Sequence, residues 1–122
     1  MAAVKPVDLT RAGEFSGGAA ADAGLALRAF RYMALMREVE DRLERKLYRQ
    51  GKIAGGVYVG RGQEAIAVGA GLAAEPDDVL FPCHRDLALY FMRGVHPRQV
   101  FAQYMGRVGG LTNAVKIHDL AK

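Results

Sequence analysis

Gly60-Arg61-Gly62-Gln63-Glu64-Ala65-Ile66-Ala67-Val68-Gly69-Ala70-Gly71-Leu72 is the run whose reading decides how this chain folds. Gln63 to Ala74 predicts a helix that is small or aliphatic on nearly every side, a composition suited to tight burial rather than to the surface. Its opening residues also satisfy G-x-G-x-x-A, a dinucleotide-binding pattern. The preceding Val57 to Val59 is short for a strand, however, and no acidic residue follows at the end of the next strand, where a ribose would be held. Gly55 and Gly60 have the spacing of a phosphate-binding loop, but Arg61-Gly62 stands where Lys and Ser or Thr are required. The stretch is read as a close-packed loop entering a buried helix.

Upstream, apolar residues recur at Phe30, Met33, Met36, Val39, Leu43 and Leu47, in steps of three and four. They predict one long amphipathic helix from about Ala23 to Gln50, with Asp22 as its cap and Gly51 as its stop. Glu38 with Arg42 and Asp41 with Arg45 stand at i,i+4 on its outer side. A helix of that length reaches about 40 Å, so the apolar stripe serves either as core or as a surface for a partner. Residues 1–22 are rich in Ala and Gly without a sustained period, and are expected to form a loose arm.

Downstream, Pro76-Asp77-Asp78 predicts a turn and Val79-Leu80-Phe81 a short buried strand. The polar cluster Cys83-His84-Arg85-Asp86 then falls between that strand and a helix from Leu87 to Arg93, which Gly94 ends. His96 is expected to cap a further helix opening at Pro97. A corner of this kind gathers backbone N–H groups, and Arg85 adds a planar, permanently charged donor, so it suits a diphosphate. A local Arg85–Asp86 surface pair is the plainer alternative.

The bulk properties agree with a folded domain. The 122 residues are 51% hydrophobic and 25% charged, an ordinary globular balance, and a domain of this size buries roughly two thirds of its surface. Arginines interrupt every apolar run before it reaches the roughly 20 residues of a membrane span. The start of the chain has neither a secretory nor a transit-peptide pattern, so a cytoplasmic protein is expected. Cys83 is the lone cysteine, and with three scattered histidines it offers no metal-ligand spacing. His118 lies in an unpatterned tail and is read as structural or solvent-facing, and Ser16 has no base near it in sequence. Net charge is +4; residues 1–83 hold eleven basic and eleven acidic side chains, and residues 84–122 six and two. The excess thus begins at the His84-Arg85 corner. There is no Lys/Arg run or basic helical stripe of the kind that binds nucleic acid.

Taken together, several segments resemble one family. Leu47-Tyr48-Arg49-Gln50-Gly51-Lys52-Ile53, Gly62-Gln63-Glu64-Ala65 with Ala67-Val68-Gly69, Pro76-Asp77-Asp78, Arg85-Asp86, and Arg93-Gly94-Val95 with Pro97 occur in order. They are similar to motifs of the alpha subunit of thiamine-diphosphate-dependent 2-oxo acid dehydrogenase E1 components (pyruvate, branched-chain 2-oxo acid, acetoin). The resemblance covers roughly Phe30 to Gly110. It implies an α/β protein: the helix-rich N-terminal portion of a thiamine-diphosphate-binding fold, with a long first helix and few strands. By resemblance, residues 23–110 are a partial E1-alpha domain and 111–122 a divergent tail.

The resemblance further implies oxidative decarboxylation of a 2-oxo acid, pyruvate favoured, with acyl transfer to a lipoyl-bearing E2 and an E1 beta subunit as partner. In that family a Tyr-Arg pair touches the cofactor diphosphate, so Arg85 carries over as a ligand. His84 replaces the tyrosine, and Cys83 is expected to line the same pocket. Tyr58 falls near a substrate-facing position that is often histidine. The family's Mg2+ signature, G-D-G followed further on by Asn, is missing, so the expectation is a truncated subunit, inactive alone, with Mg2+ ligands absent from it. A non-catalytic helical interaction module and a gene remnant remain as alternatives.

Overall fold

The computed structural model describes residues 23–112. The expected arm at 1–22, with its Asp22 cap, and residues 113–122 of the tail lie outside the described residues. Among the described residues four α-helices run in chain order: α1 (Ala23–Asp41), α2 (Glu64–Ala73), α3 (Leu87–Met92) and α4 (Pro97–Tyr104). A π-helical stretch, Arg42–Tyr48, continues α1. The long first helix and the helix-rich fold are as expected, although its last turns are wound more widely than the 3.6-residue period assumes.

The apolar stripe of α1 is core along its middle. Met36, Val39 and Leu43 are buried, with Met33 and Leu47 packed beside them, and they meet Ala67 and Val68 of α2, Leu87, Ala88, Leu89 and Phe91 of α3, and Val100 of α4. Phe30, nearer the start, is 63% exposed. The stripe's alternative use as a partner surface is therefore confined to its first turns.

Two expectations fail. Among the described residues no strand forms, and Val79-Leu80-Phe81 is an extended segment in which Phe81 is 93% exposed and only Leu80 packs against the core. Three apolar residues in sequence do not make a buried strand unless neighbouring strands accept their backbone hydrogen bonds, and none does so here among the described residues. Nor is α2 buried on every side. Glu64, Ala67 and Val68 face inward, whereas Ile66 is 70% exposed. Small residues allow close approach without requiring it, and here the approach occurs at Gly71, where a Cβ would lie 2.5 Å from Met92 Sδ on α3.

The turns are made as the sequence indicates. Asp78 Oδ2 accepts from the Glu75 amide at 2.8 Å, closing the turn. The Arg93 guanidinium then fastens it to the end of α3 by donating to the carbonyls of Pro76 (2.8 Å), Glu75 (2.8 Å) and Asp78 (3.2 Å). His96 Nδ1 accepts from the Arg98 amide at 3.1 Å while Gln99 Oε1 accepts from the His96 amide at 2.9 Å, capping α4 as expected. Gly94 ends α3 with φ at +86°; its amide donates to Phe91 O and that of Val95 to Tyr90 O, both at 3.0 Å. This pair of bonds requires a left-handed residue. Gly94→Ala has open space for its methyl group, so its cost is conformational alone. It should lower stability by about 1 kcal/mol, measured as the denaturant midpoint at unchanged slope.

Candidate functional site

The site is organised by four polar side chains of α1 and its π-helical continuation. Arg37, Glu40, Asp41 and Glu44 all reach to the loop and helix start between Gly60 and Glu64. Arg37 Nε donates to Glu64 Oε1 at 2.5 Å, and Glu64 Oε2 accepts from the Gly62 amide at 3.0 Å. Arg61 Nη2 donates to Asp41 Oδ1 at 2.5 Å and to Glu44 Oε2 at 2.7 Å. Between these two clasps, Glu40 Oε1 accepts from the buried Gly60 amide at 2.8 Å. The i,i+4 pairs expected on the outer side are present as well, Glu38–Arg42 at 2.7 Å and Asp41–Arg45 at 3.6 Å. Asp41 is thus shared between Arg45 and Arg61.

Glu40 is the unexpected member. It is 1% exposed, and its Oε2 is buried with no hydrogen-bond partner among the described residues. Burial pushes its carboxyl above the ordinary range, the Gly60 amide opposing. Glu64 behaves oppositely: the hydrogen bond from Arg37 holds its carboxyl below that range. Burial also raises the Tyr104 hydroxyl above its ordinary range, and the charge of Glu40 adds to the effect. A signal for Glu40 existed in the sequence. Four residues after Met36 and three before Leu43, it stands on the apolar stripe itself, where a charged residue is out of pattern.

Gly60 transmits this arrangement to the polar corner. It is wedged between α1 and the 83–86 turn: an added Cβ would lie 2.7 Å from Met36 Cε and closer still to the Arg85 carbonyl oxygen. Only glycine fits there without moving one of the two. In the turn itself, Asp86 Oδ2 accepts from the Cys83 amide at 3.0 Å, and the Asp86 amide donates to Cys83 O at 3.1 Å. Of the backbone N–H groups at this corner, that of Cys83 is therefore already engaged. Asp86 closes the turn rather than pairing with Arg85.

Of the residues singled out from sequence, Tyr58 and His84 come together. Their ring centroids lie 5.2 Å apart at 62°, an edge-to-face contact. Both line a cleft of about 320 Å3 whose other walls include Tyr90, Gln103, Tyr104 and Leu111. The Tyr90 hydroxyl donates to Pro82 O at 3.2 Å, tying that wall to the start of the turn. Arg85 is next to His84 in the chain, exposed, and its guanidinium makes no ion pair or hydrogen bond among the described residues. Cys83 is exposed and lies outside the cleft lining. Sequence reasoning did not anticipate Tyr90, Gln103, Tyr104 or Leu111, because their approach to His84 depends on how α3 and α4 fold back.

The described residues thus place an exposed arginine with no described side-chain partner next in the chain to a residue lining an aromatic-walled cleft. The family profile described as "Dehydrogenase E1 component" matches residues 31–122. This chain belongs to the dehydrogenase E1 component family. It is similar to the pyruvate dehydrogenase E1 component subunit alpha of Rhizobium meliloti (strain 1021), with 36% identity over 101 residues, 81% of this chain and 29% of the relative. The mitochondrial pyruvate dehydrogenase E1 component subunit alpha-1 of Arabidopsis thaliana is 37% identical over 81 residues, 66% of this chain and 21% of the relative. The mitochondrial somatic form of the subunit from Homo sapiens is 34% identical over 84 residues, 69% and 21% of the two chains. The chain therefore spans less than a third of the length of these relatives. No solved structure gives a significant match. Among the described residues, no helix is long and apolar enough to cross a membrane, and no group of three or more His, Cys, Asp or Glu could hold a metal ion.

The buried Glu40 gives the stability of this site a defined pH dependence. Burial raises its folded-state pKa, so its contribution to stability is fully present below the unfolded value and is lost as pH rises through the folded one. Glu40→Gln removes that titration and leaves the opposing one of Glu64 in place. The thermal midpoint of Glu40→Gln should therefore gain on that of the parent as pH is raised from acid to neutral, measured by circular dichroism. A constant difference would count against a buried, raised carboxyl.

Proposed function

We propose that this chain is the portion of a 2-oxo acid dehydrogenase E1 alpha subunit that supplies a diphosphate-binding corner for thiamine diphosphate. Arg85 is its principal ligand. The observation that carries the reading is the exposed, unpaired Arg85 guanidinium in a turn whose backbone is held against Gly60, within a chain of the E1 component family.

The residues present suit the cofactor's anionic end. A guanidinium offers a planar fork of donors that matches phosphate oxygens. His84, held edge-on against Tyr58, adds a ring nitrogen on the cleft side, and Cys83 gives a polar edge outside it. Thiamine diphosphate, when bound, supplies the carbanion-stabilising chemistry that decarboxylation of a 2-oxo acid needs. In this reading Arg85 binds and orients the diphosphate, while Tyr58 and His84 shape the adjoining cleft and keep water from part of it. Tyr58 is the residue assigned to substrate, and no residue of this chain is assigned to Mg2+.

The proposal extends to the setting that the relatives suggest. The relatives named above are pyruvate dehydrogenase E1 alpha subunits, which favours pyruvate as the 2-oxo acid. An E1 beta subunit and a lipoyl-bearing E2 would be the partners for decarboxylation and acyl transfer. The 122-residue chain by itself is then a cofactor-binding part whose activity depends on them.

Arg85 provides the direct test. Charged hydrogen bonds contribute about 1.5–3 kcal/mol, so Arg85→Ala should weaken thiamine diphosphate or inorganic pyrophosphate by about tenfold or more, followed by ligand-observed 31P NMR titration. Arg85→Lys should recover only part of the loss, since an ammonium lacks the fork. Binding by Arg85→Ala equal to that of the parent would remove the proposal's main residue.

A further inference from the structure

We infer that Glu40 is a positioning residue for Arg85, acting through Gly60: its buried carboxylate holds the Gly60 amide, and Gly60 in turn backs the Arg85 carbonyl. The inference rests on the assignment of Arg85 to the diphosphate and adds the residue that sets its place.

Three observations join the chain of contacts. Glu40 Oε1 lies 2.8 Å from the Gly60 amide nitrogen, in a wholly buried hydrogen bond across 20 residues of sequence. Gly60 has no room for a methyl group, because the Arg85 carbonyl oxygen on one side and Met36 Cε on the other already occupy it. Met36 and Glu40 are four residues apart on the same face of α1, so a single helix supplies both the packing contact and the hydrogen bond that locate Gly60. The backbone of Arg85 is consequently set against a strut anchored in the core, although its guanidinium is exposed.

The choice of residue needs explaining on other grounds than stability. A carboxyl with one oxygen buried and unpartnered costs folding free energy, whereas an apolar side chain of similar size would fill the same space without that cost. What the apolar side chain cannot do is accept the Gly60 N–H. Arg37 and Arg61, the nearby cations, are committed to Glu64 and to Asp41 with Glu44, so neither neutralises Glu40 by direct pairing. The one described hydrogen bond of the Glu40 carboxyl goes to the residue that abuts Arg85. Loss of this bond frees the loop and lets the Arg85 backbone shift, and a ligand held by a rigid fork is sensitive to small displacements.

The test is a set of variants of the full 122-residue chain, titrated with inorganic pyrophosphate and with thiamine diphosphate by 31P NMR. Glu40→Gln keeps an oxygen for the Gly60 amide and should bind like the parent. Glu40→Met fills the space without an acceptor and should bind about tenfold more weakly. Glu40→Asp, one methylene shorter, withdraws the carboxylate from Gly60 while keeping its charge. It should weaken binding as well, and it carries the test if thermal melting shows that Glu40→Met does not fold. In the double variant with Arg85→Ala, the Glu40 substitution should have no further effect.

A readout without ligand accompanies these titrations. In 1H–15N spectra of the free protein, the Arg85 amide and Nε resonances should move in Glu40→Met and Glu40→Asp but stay in place in Glu40→Gln. If Arg85→Ala itself binds like the parent, the functional assignment falls, and the spectra alone then decide whether Glu40 positions Arg85. If Arg85→Ala is weakened but Glu40→Met and Glu40→Asp are not, the positioning role is overturned and the functional assignment stands. The same holds if their losses add in full to that of Arg85→Ala.

Discussion

The hydrogen bond between the buried Glu40 carboxylate and the Gly60 amide is the constraint around which the described fold is arranged. It fixes the depth at which the glycine loop meets α1. Arg37 with Glu64 on one side, and Arg61 with Asp41 and Glu44 on the other, fix the loop laterally. The three sets of contacts differ in kind. The flanking ion pairs involve partly exposed groups and are screened by solvent, so each contributes little by itself. The Glu40 bond is fully desolvated, and a mismatch there is costly.

From this clasp the rest follows by packing. With Gly60 seated on Met36, α2 starts where Ala67 and Val68 can meet the middle of α1, and α3 closes over both through Leu87, Leu89 and Phe91. Arg93 at the end of α3 then gathers the carbonyls of the 75–78 turn. The polar corner at 83–86 lies between these two fastened points, so its backbone is held at both ends while the Arg85 side chain stays exposed.

Burying a carboxyl opposes folding, and natural sequences keep such groups where geometry or function depends on them. The opposite displacements of the two acidic groups show how local the effect is. Glu40 has a single described donor and is driven toward its neutral form, whereas Glu64 has the Arg37 guanidinium and is held ionised. Both lie on the same contact between α1 and α2. Phe81, Val79, Val108 and Ile66 are apolar and largely exposed.

Much was legible in the residues alone. The 3.6-residue spacing of Met36, Val39 and Leu43 placed α1 and its buried face, and Gly94 and His96 marked the end of α3 and the start of α4. These features depend on local backbone preference and on periodicity, both of which are carried by near neighbours in sequence. The order of short motifs from Leu47 to Pro97 likewise pointed to the family to which the chain belongs. Tertiary structure alone decided that Glu40 is inside, that Gly60 presses on the Arg85 carbonyl, that Tyr58 meets His84, and that Val79-Leu80-Phe81 is not a buried strand. Each of these is a relation between segments distant in the chain, where burial and hydrogen-bond partners are set by what folds back onto the residue rather than by the residue itself.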